Sequence, residues 1–157
     1  MIHLRKVSRR STAILAALAV TALAAGAATA GHVASPGFDS NHEVALPGAE
    51  LDFQHVNPAI QMATAWGDRA VGAHGTFGKF PPEFITPWHT HSAAYHGVVI
   101  KGVMTNPFKD DPNVPEMGPG SYWYVPAEAV HATACISKEP CEFYFSSESA
   151  FDFKPVE

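Results

Sequence analysis

Basic residues are scarce in this 157-residue chain after its first ten positions. Four of the ten Lys and Arg lie within Met1–Arg10, and all fifteen Asp and Glu come later. Residues 31–157 therefore hold six basic against fifteen acidic side chains, a formal charge of −9. Because such a surface repels polyanions, the composition argues against a nucleic-acid partner and against stable association with an anionic membrane.

After residue 30, no segment has apolar residues that recur with the period of a helix and capping residues at its ends. Internal repeats are also missing. Short apolar runs rich in β-branched and aromatic residues alternate instead with Gly, Pro, Asn and Asp. The runs are EVAL, IQMATAW, GTFGKF, YHGVVIKGVMTN, SYWYVP, HATACI and EFYFSS. This pattern predicts an all-β domain, either a sandwich or a small barrel.

Cysteine is limited to Cys135 and Cys141, which flank the turn-like tetrad 137–140 between two strand-like runs. Opposed residues near the end of a hairpin can meet disulfide geometry. We therefore predict a Cys135–Cys141 disulfide, with two buried free thiols as the alternative.

The first thirty residues have the layout of a secretory leader. Met1–Arg10 is basic, residues 11–30 are almost purely Ala, Leu, Val and Thr, and the stretch closes with the small-x-small site Ala28-Thr29-Ala30. We expect a signal peptide (1–30) that exports the chain to the periplasm or beyond, then a flexible lead-in (31–41) and one folded domain (42–157). An uncleaved membrane anchor and a twin-arginine export route are the alternatives.

Histidine is concentrated in PWHTHSAAYHGVVIKG, residues 87–102. His89 and His91 lie two apart, which on a strand places both on one face about 6.6 Å apart. His96 follows after a small SAA segment, and His131 opens a later strand-like run. Each alone would usually be a hydrogen-bonded structural histidine. Together they would leave several buried nitrogens without partners, and one metal ion would satisfy all four.

These residues sit in two motifs that resemble those of the cupin superfamily. Its first motif reads Gly, five residues, His-x-His, three or four residues, Glu, six residues, Gly. The second reads Gly, five residues, Pro-x-Gly, two residues, His, three residues, Asn. Here the first appears as His89-x-His91, four residues and His96, and the second as Gly120-SYWYV-Pro126 followed by His131. The resemblance covers roughly residues 60–152.

The motifs also depart from the family pattern. Glu stands at position 83, where the leading Gly would fall, and His96 replaces the usual Glu. Gly102 comes one residue early, Glu128 replaces the second-motif Gly, and Cys135 replaces its Asn. An all-nitrogen ligand set suits Fe(II), Zn, Cu or Ni better than Mg or Ca, with Mn a further candidate.

The resemblance implies a single-domain cupin-type β-barrel, a double-stranded β-helix or jelly roll. By analogy with three-histidine iron dioxygenases, it implies a metal-dependent oxidoreductase acting on a small oxygen-chelating substrate. The alternative is a non-catalytic metal- or ligand-binding sensor with a closed structural Zn site. A homodimer is a further expectation from the family.

Three other residues are candidates for catalysis. Tyr122 and Tyr124 share one face of a strand, so a phenol from either would donate to a bound substrate if that face lines the pocket. Glu128, three residues before His131, is a candidate general base or a partner that orients an imidazole. Barrel packing is the alternative for the tyrosines and for Tyr95, and a solvated turn is the alternative for Glu128. Three further histidines are expected at the surface: His42, His55 and His74.

Overall fold

The computed structural model describes residues 43–157, whose regular elements are short β-strands and one 3-10 turn. In chain order they are η1 (Gly48–Glu50), β1 (Gln54–His55), β2 (Gln61–Gly67), β3 (His74–Phe80), β4 (Phe84–Ile85), β5 (His89–Thr90), β6 (Tyr95–Lys101), β7 (Met104–Thr105), β8 (Tyr122–Val125), β9 (Ala134–Cys135), β10 (Cys141–Ser147) and β11 (Lys154–Pro155). The predicted leader and lead-in, and His42, lie outside the described residues. Within those residues, no helix is long and apolar enough to cross a bilayer.

The strands form three antiparallel sheets. The largest has the order β1-β2-β3-β10-β6-β8, and two smaller sheets have the orders β4-β9-β7 and β11-β5. A bridge between His89 and His131 joins β5 to the segment that leads into β9. This architecture confirms the all-β prediction.

Side chains point alternately inward and outward along the central strands, and this decides which of them fill the core. In β10, Phe143 and Phe145 face inward, and their neighbours are only partly buried. In β6 and β8 the inward positions include Gly97 and Trp123, which are paired across the two strands. A Cβ at residue 97 would lie 2.1 Å from the Trp123 ring, so only glycine admits the indole here. Burying a large apolar side chain such as Phe145 stabilises the fold by about 2–3 kcal/mol.

Two parts of the strand prediction differ from the structure. Residues 43–46, the EVAL run, form no strand, and Val44 and Leu46 are exposed. Conversely, three two-residue strands, β1, β4 and β11, were not predicted. Two residues are too few to show an alternation of apolar and polar side chains.

The predicted disulfide between Cys135 and Cys141 is confirmed. It joins β9 to the start of β10, and both cysteines are fully buried. Cys135 is paired with Met104 and Phe84 across its two neighbouring strands, so the bridge ties the three-stranded sheet to the large sheet.

Two glutamates occupy backbone positions that favour glycine. Glu83 and Glu128 have φ angles of 53° and 60°, in the left-handed region. They stand where the cupin motifs have glycine, and Gly102 and Gly120, which keep it, also have positive φ. Both turns therefore have a left-handed backbone at a non-glycine residue, at a cost of roughly 1–2 kcal/mol for each.

Replacing Glu83 by Gly should stabilise the protein by roughly 1 kcal/mol, because it removes this backbone strain. Urea unfolding followed by circular dichroism measures the effect. Glu116→Gly is the matched control, since exposed Glu116 has no positive φ and its replacement only adds chain entropy to the unfolded state. A Glu83→Gly variant that is less stable than the parent would contradict the strain argument.

Candidate metal centre

Three buried histidines meet at one end of the barrel. His89 and His91 lie at and just after β5, and His131 is held beside them by reciprocal backbone hydrogen bonds with His89, of 2.9 and 3.0 Å. One ring nitrogen of each lies within 4.8 Å of those of the other two. The exposed fractions of His89, His91 and His131 are 3%, 3% and 0%, so the cluster is shielded from bulk water.

Backbone carbonyls fix the same tautomer in all three imidazoles. The Nδ1–H of His89 donates to Pro87 O at 2.8 Å, and that of His131 donates to Ala129 O at 3.0 Å. His91 Nδ1 donates to Asp152 O. Because each ring is protonated at Nδ1, each keeps its lone pair on Nε2, which is the arrangement that metal-binding histidines use.

Burial keeps these rings neutral. Desolvation lowers the pKa of His89 and of His91 to about 4, with the neighbouring His131 adding to the effect. Desolvation also lowers the pKa of His131. Three neutral nitrogen donors are therefore available throughout the neutral pH range, and such a set fits a divalent transition metal.

His96 is not part of this cluster, and its prediction as the fourth ligand is wrong. Strand β6 alternates, and Tyr95 takes the inward position, so His96 faces outward and is exposed. Its Nδ1 is hydrogen-bonded to the Tyr122 hydroxyl at 2.5 Å, and its ring lies 4.9 Å from that of Tyr124.

The same alternation corrects the catalytic prediction for Tyr122 and Tyr124. Trp123 and Val125 occupy the inward positions of β8, so both tyrosines are exposed on the outer face of the sheet, 58% and 45% respectively. Neither phenol points toward the three imidazoles.

Glu128 also lies apart from the cluster. Its carboxylate is exposed, bonds Lys154 Nζ at 3.0 Å and accepts a hydrogen bond from Thr90 Oγ1 at 3.4 Å. Only its backbone reaches the site, since Glu128 N donates to His91 O at 2.9 Å. The solvated-turn alternative therefore describes this side chain better than the predicted role of general base.

Two residues near the cluster were not recognised from the sequence. His74 is fully buried instead of exposed, and its Nε2 has no hydrogen-bond partner among the described residues. Tyr95 is buried, and its hydroxyl lies 3.1 Å from His131 Nε2. Three residues separate it from His91 and six separate it from Gly102, which is the spacing of the cupin-motif Glu. The early position of Gly102 was the signal that Tyr95, and not His96, occupies that place.

A profile described as "Domain of unknown function (DUF4437)" matches residues 48–157 of the chain. The chain belongs to the DUF4437 family. A search of curated proteins found no significant match.

Solved structures with the same fold as this DUF4437 chain include three that are informative. Polyketide cyclase RemF from Streptomyces resistomycificus is 18% identical over 74% of this chain and 87% of its own, with a TM-score of 0.63. An RmlC-like cupin from Shewanella frigidimarina is 13% identical, covering 74% and 94%, with a TM-score of 0.54. An oxalate oxidase is 16% identical, covering 64% and 57%, with a TM-score of 0.54. At these identities the likeness confirms the predicted cupin fold and does not extend to the reaction.

A small cavity of about 60 Å³ adjoins the cluster of the DUF4437 chain on the inner side. His89, His91 and Tyr95 form part of its wall, and most of the rest is aromatic or aliphatic. Its other polar side chains include Thr86 and Thr133. A cavity of this character accepts a small, largely apolar group beside the imidazoles.

The C-terminal segment, residues 151–157, covers the cluster. Phe151 stacks on His91 with ring centroids 4.1 Å apart, and Phe153 stacks on His89 at 4.3 Å. The segment is held by its pairing with β5 and by Asp152, whose carboxylate accepts hydrogen bonds from the Ser92 backbone N–H and hydroxyl. Both phenylalanines also line an outer cleft of about 400 Å³, so they separate this cleft from the inner cavity.

The buried histidines make the metal-free protein sensitive to acid. His74, His89 and His91 have a pKa of about 4 in the folded state, against 6.5 in the unfolded chain. The unfolded state therefore binds more protons in this range, and the free energy of unfolding should fall as the pH drops from about 6.5 to about 4. Denaturant titrations of chelator-treated protein measure it.

His55→Ala is the control for this experiment, because His55 is exposed and its loss should leave the slope unchanged. An unfolding free energy that stays constant between pH 6.5 and pH 4 would contradict the burial of three neutral imidazoles.

Proposed function

We propose that this chain is an exported metalloenzyme in which His89, His91 and His131 hold one divalent transition metal ion. The observation that carries the proposal is the convergence of three buried, neutral imidazoles that share one tautomer beside a cavity. Ordinary packing gives no reason to align three Nε2 lone pairs, whereas a shared ion does.

The ligand set favours Fe(II) or Zn as the ion, with Cu, Ni and Mn as weaker candidates. When bound, such an ion would supply a Lewis acid that activates a substrate together with O₂ or water. Around it, the carbonyls of Pro87, Ala129 and Asp152 hold the three rings in place. Phe151 and Phe153 keep bulk water from the rings by covering them.

The substrate we propose is a small molecule that chelates through oxygen, and the reaction is an oxidation of the dioxygenase type. The cavity supports a compact substrate with an apolar portion, because its walls are mostly Phe, Trp, Ile and Met. The names of RemF and of the oxalate oxidase indicate that the cupin fold serves enzymes that act on oxygen-rich small molecules. This support comes from the fold and the donor set alone.

Export is part of the proposal for two reasons. The leader-like residues 1–30 have the composition of a signal peptide, and the Cys135–Cys141 disulfide fits an oxidising compartment such as the periplasm.

Elemental analysis of the protein expressed from residue 31 tests the ligand set. We expect about one equivalent of transition metal for each chain. His131→Ala should lower the metal affinity at least about tenfold, since it removes one of three donors. His96→Ala is the matched control, because the same substitution on the outer face of β6 should leave the metal content unchanged. Loss of the metal from His96→Ala but not from His131→Ala would contradict the assignment.

Oxygen uptake tests the reaction. Iron-loaded protein should consume O₂ with some member of a panel of small β-diketones and catechols, and His131→Ala should not. Tightly held Zn with no exchangeable water, and no turnover with any metal, would instead indicate the non-catalytic binding protein.

A further inference from the structure

The Tyr95 hydroxyl is in contact with the atom that would bind the metal. Tyr95 is on the inward face of β6 and is 4% exposed. Its oxygen lies 3.1 Å from Nε2 of His131, the nitrogen that keeps its lone pair because Nδ1 donates to Ala129 O. In the metal-free protein the phenol donates a hydrogen bond to that lone pair.

This separation is also that of two neighbouring ligands on one ion. Ligand atoms that are each about 2.1 Å from a metal lie about 3.0 Å apart at a right angle and about 3.4 Å apart at the tetrahedral angle. The 3.1 Å between Tyr95 Oη and His131 Nε2 falls in this interval. An ion on His131 Nε2 therefore reaches the phenol oxygen without a change of side-chain position.

Metal binding at His131 would also take the Nε2 acceptor away from the phenol. Once the Nε2 lone pair is shared with the ion, it no longer accepts the Tyr95 O–H. The ring is buried, and a buried hydroxyl that loses its hydrogen bond costs about 1–3 kcal/mol unless another group accepts its proton. Coordination through oxygen removes this cost, because the proton leaves and the oxygen lone pair faces the ion.

We propose that Tyr95 is the fourth protein ligand of the metal, bound as a phenolate. This inference rests on the proposed metal site of His89, His91 and His131 and adds to it a ligand that carries negative charge. The O–H bond of Tyr95 breaks, its proton goes to the solvent buffer, and the oxygen lone pair forms the bond to the ion. A divalent ion then has a net charge of +1 at the site instead of +2.

Other groups around the cavity are consistent with an anionic oxygen at this place. The indole N–H of Trp123 lines the same cavity, forms no hydrogen bond of full geometry among the described residues, and lies close enough to the Tyr95 oxygen to lower the pKa of the phenol. A phenolate has spare lone pairs and would give this donor an acceptor. Burial raises the pKa of Tyr95 to about 12 in the metal-free protein, and hydrogen bonding with Trp123 and Thr133 acts in the opposite direction. Thr133 also donates its own hydroxyl proton to Asn106 Oδ1 at 2.6 Å.

Two readouts other than turnover test the ligand. Protein loaded with Fe(III) or Cu(II) should show a visible phenolate-to-metal charge-transfer band, which Tyr95→Phe should abolish. Zn(II) titrated into metal-free protein below about pH 7, where zinc-bound water is still largely protonated, should release about one proton more from the parent than from Tyr95→Phe. The affinity of Tyr95→Phe for Zn(II) should be at least about tenfold lower.

Tyr122→Phe is the matched control, because it removes a phenol oxygen from the outer face of β8. It should keep the band, the proton count and the affinity. Identical spectra and proton counts in the parent and in metal-loaded Tyr95→Phe would overturn the proposal. If Tyr95→Phe does not fold, the parent protein still tests the proposal. A metal-loaded parent without a charge-transfer band excludes a phenolate ligand. A parent that binds no metal would instead defeat the metal site itself.

Discussion

Three backbone carbonyls determine what the histidine cluster of this barrel can bind. The carbonyls of Pro87, Ala129 and Asp152 each accept an Nδ1–H from one histidine of the cluster. Without these acceptors, a buried imidazole would be free to place its proton on either nitrogen. With them, all three lone pairs are on Nε2, and the rings cannot satisfy one another by hydrogen bonding. This is the arrangement that a shared cation would use.

The constraint also explains why the C-terminal segment belongs to the site. Asp152 supplies the acceptor for His91, and Phe151 and Phe153 cover the rings of His91 and His89. The segment is short and is paired with β5 through only two residues, so side-chain contacts at Ser92 contribute to holding it. Orientation of a ligand and exclusion of water thus come from the same few residues.

The site lowers the stability of the metal-free fold as the pH falls below about 6.5. Burial lowers the pKa of each clustered histidine, which means that the fold disfavours their charged forms. A ligand that binds only the folded state would offset this cost in proportion to its affinity and concentration. A metal ion in the cluster would therefore contribute to the stability of the domain as well as to its chemistry.

Much of the fold and part of the site could be predicted from the sequence. The pairing of His89 with His91 needed only the two-residue period of a strand, and the disulfide needed only the turn between its cysteines. His96 was misplaced because a shift of one residue along β6 exchanges the two faces, and the spacing from His91 alone allows either Tyr95 or His96 to face inward. The exact position of Gly102 resolves that choice.

Other features had no usable signal in the sequence. In β8, both faces carry aromatic residues, so the pattern Tyr-Trp-Tyr-Val does not show that Trp123 lies inside. His74 lies in no motif, and its burial depends on tertiary packing against Phe145 and Phe151. Asp152 orients His91 through its backbone carbonyl. Since every residue has such a carbonyl, no residue type in the sequence marks this role.

The most direct test of the central claim is a crystal structure of the protein soaked with Zn(II), with the ion located by its anomalous scattering. The account predicts one ion bonded to Nε2 of His89, His91 and His131 at about 2.1 Å, with each Nδ1 still donating to its carbonyl. An ion bound at His96 on the outer face, or three imidazoles that remain without an ion at saturating Zn(II), would contradict it.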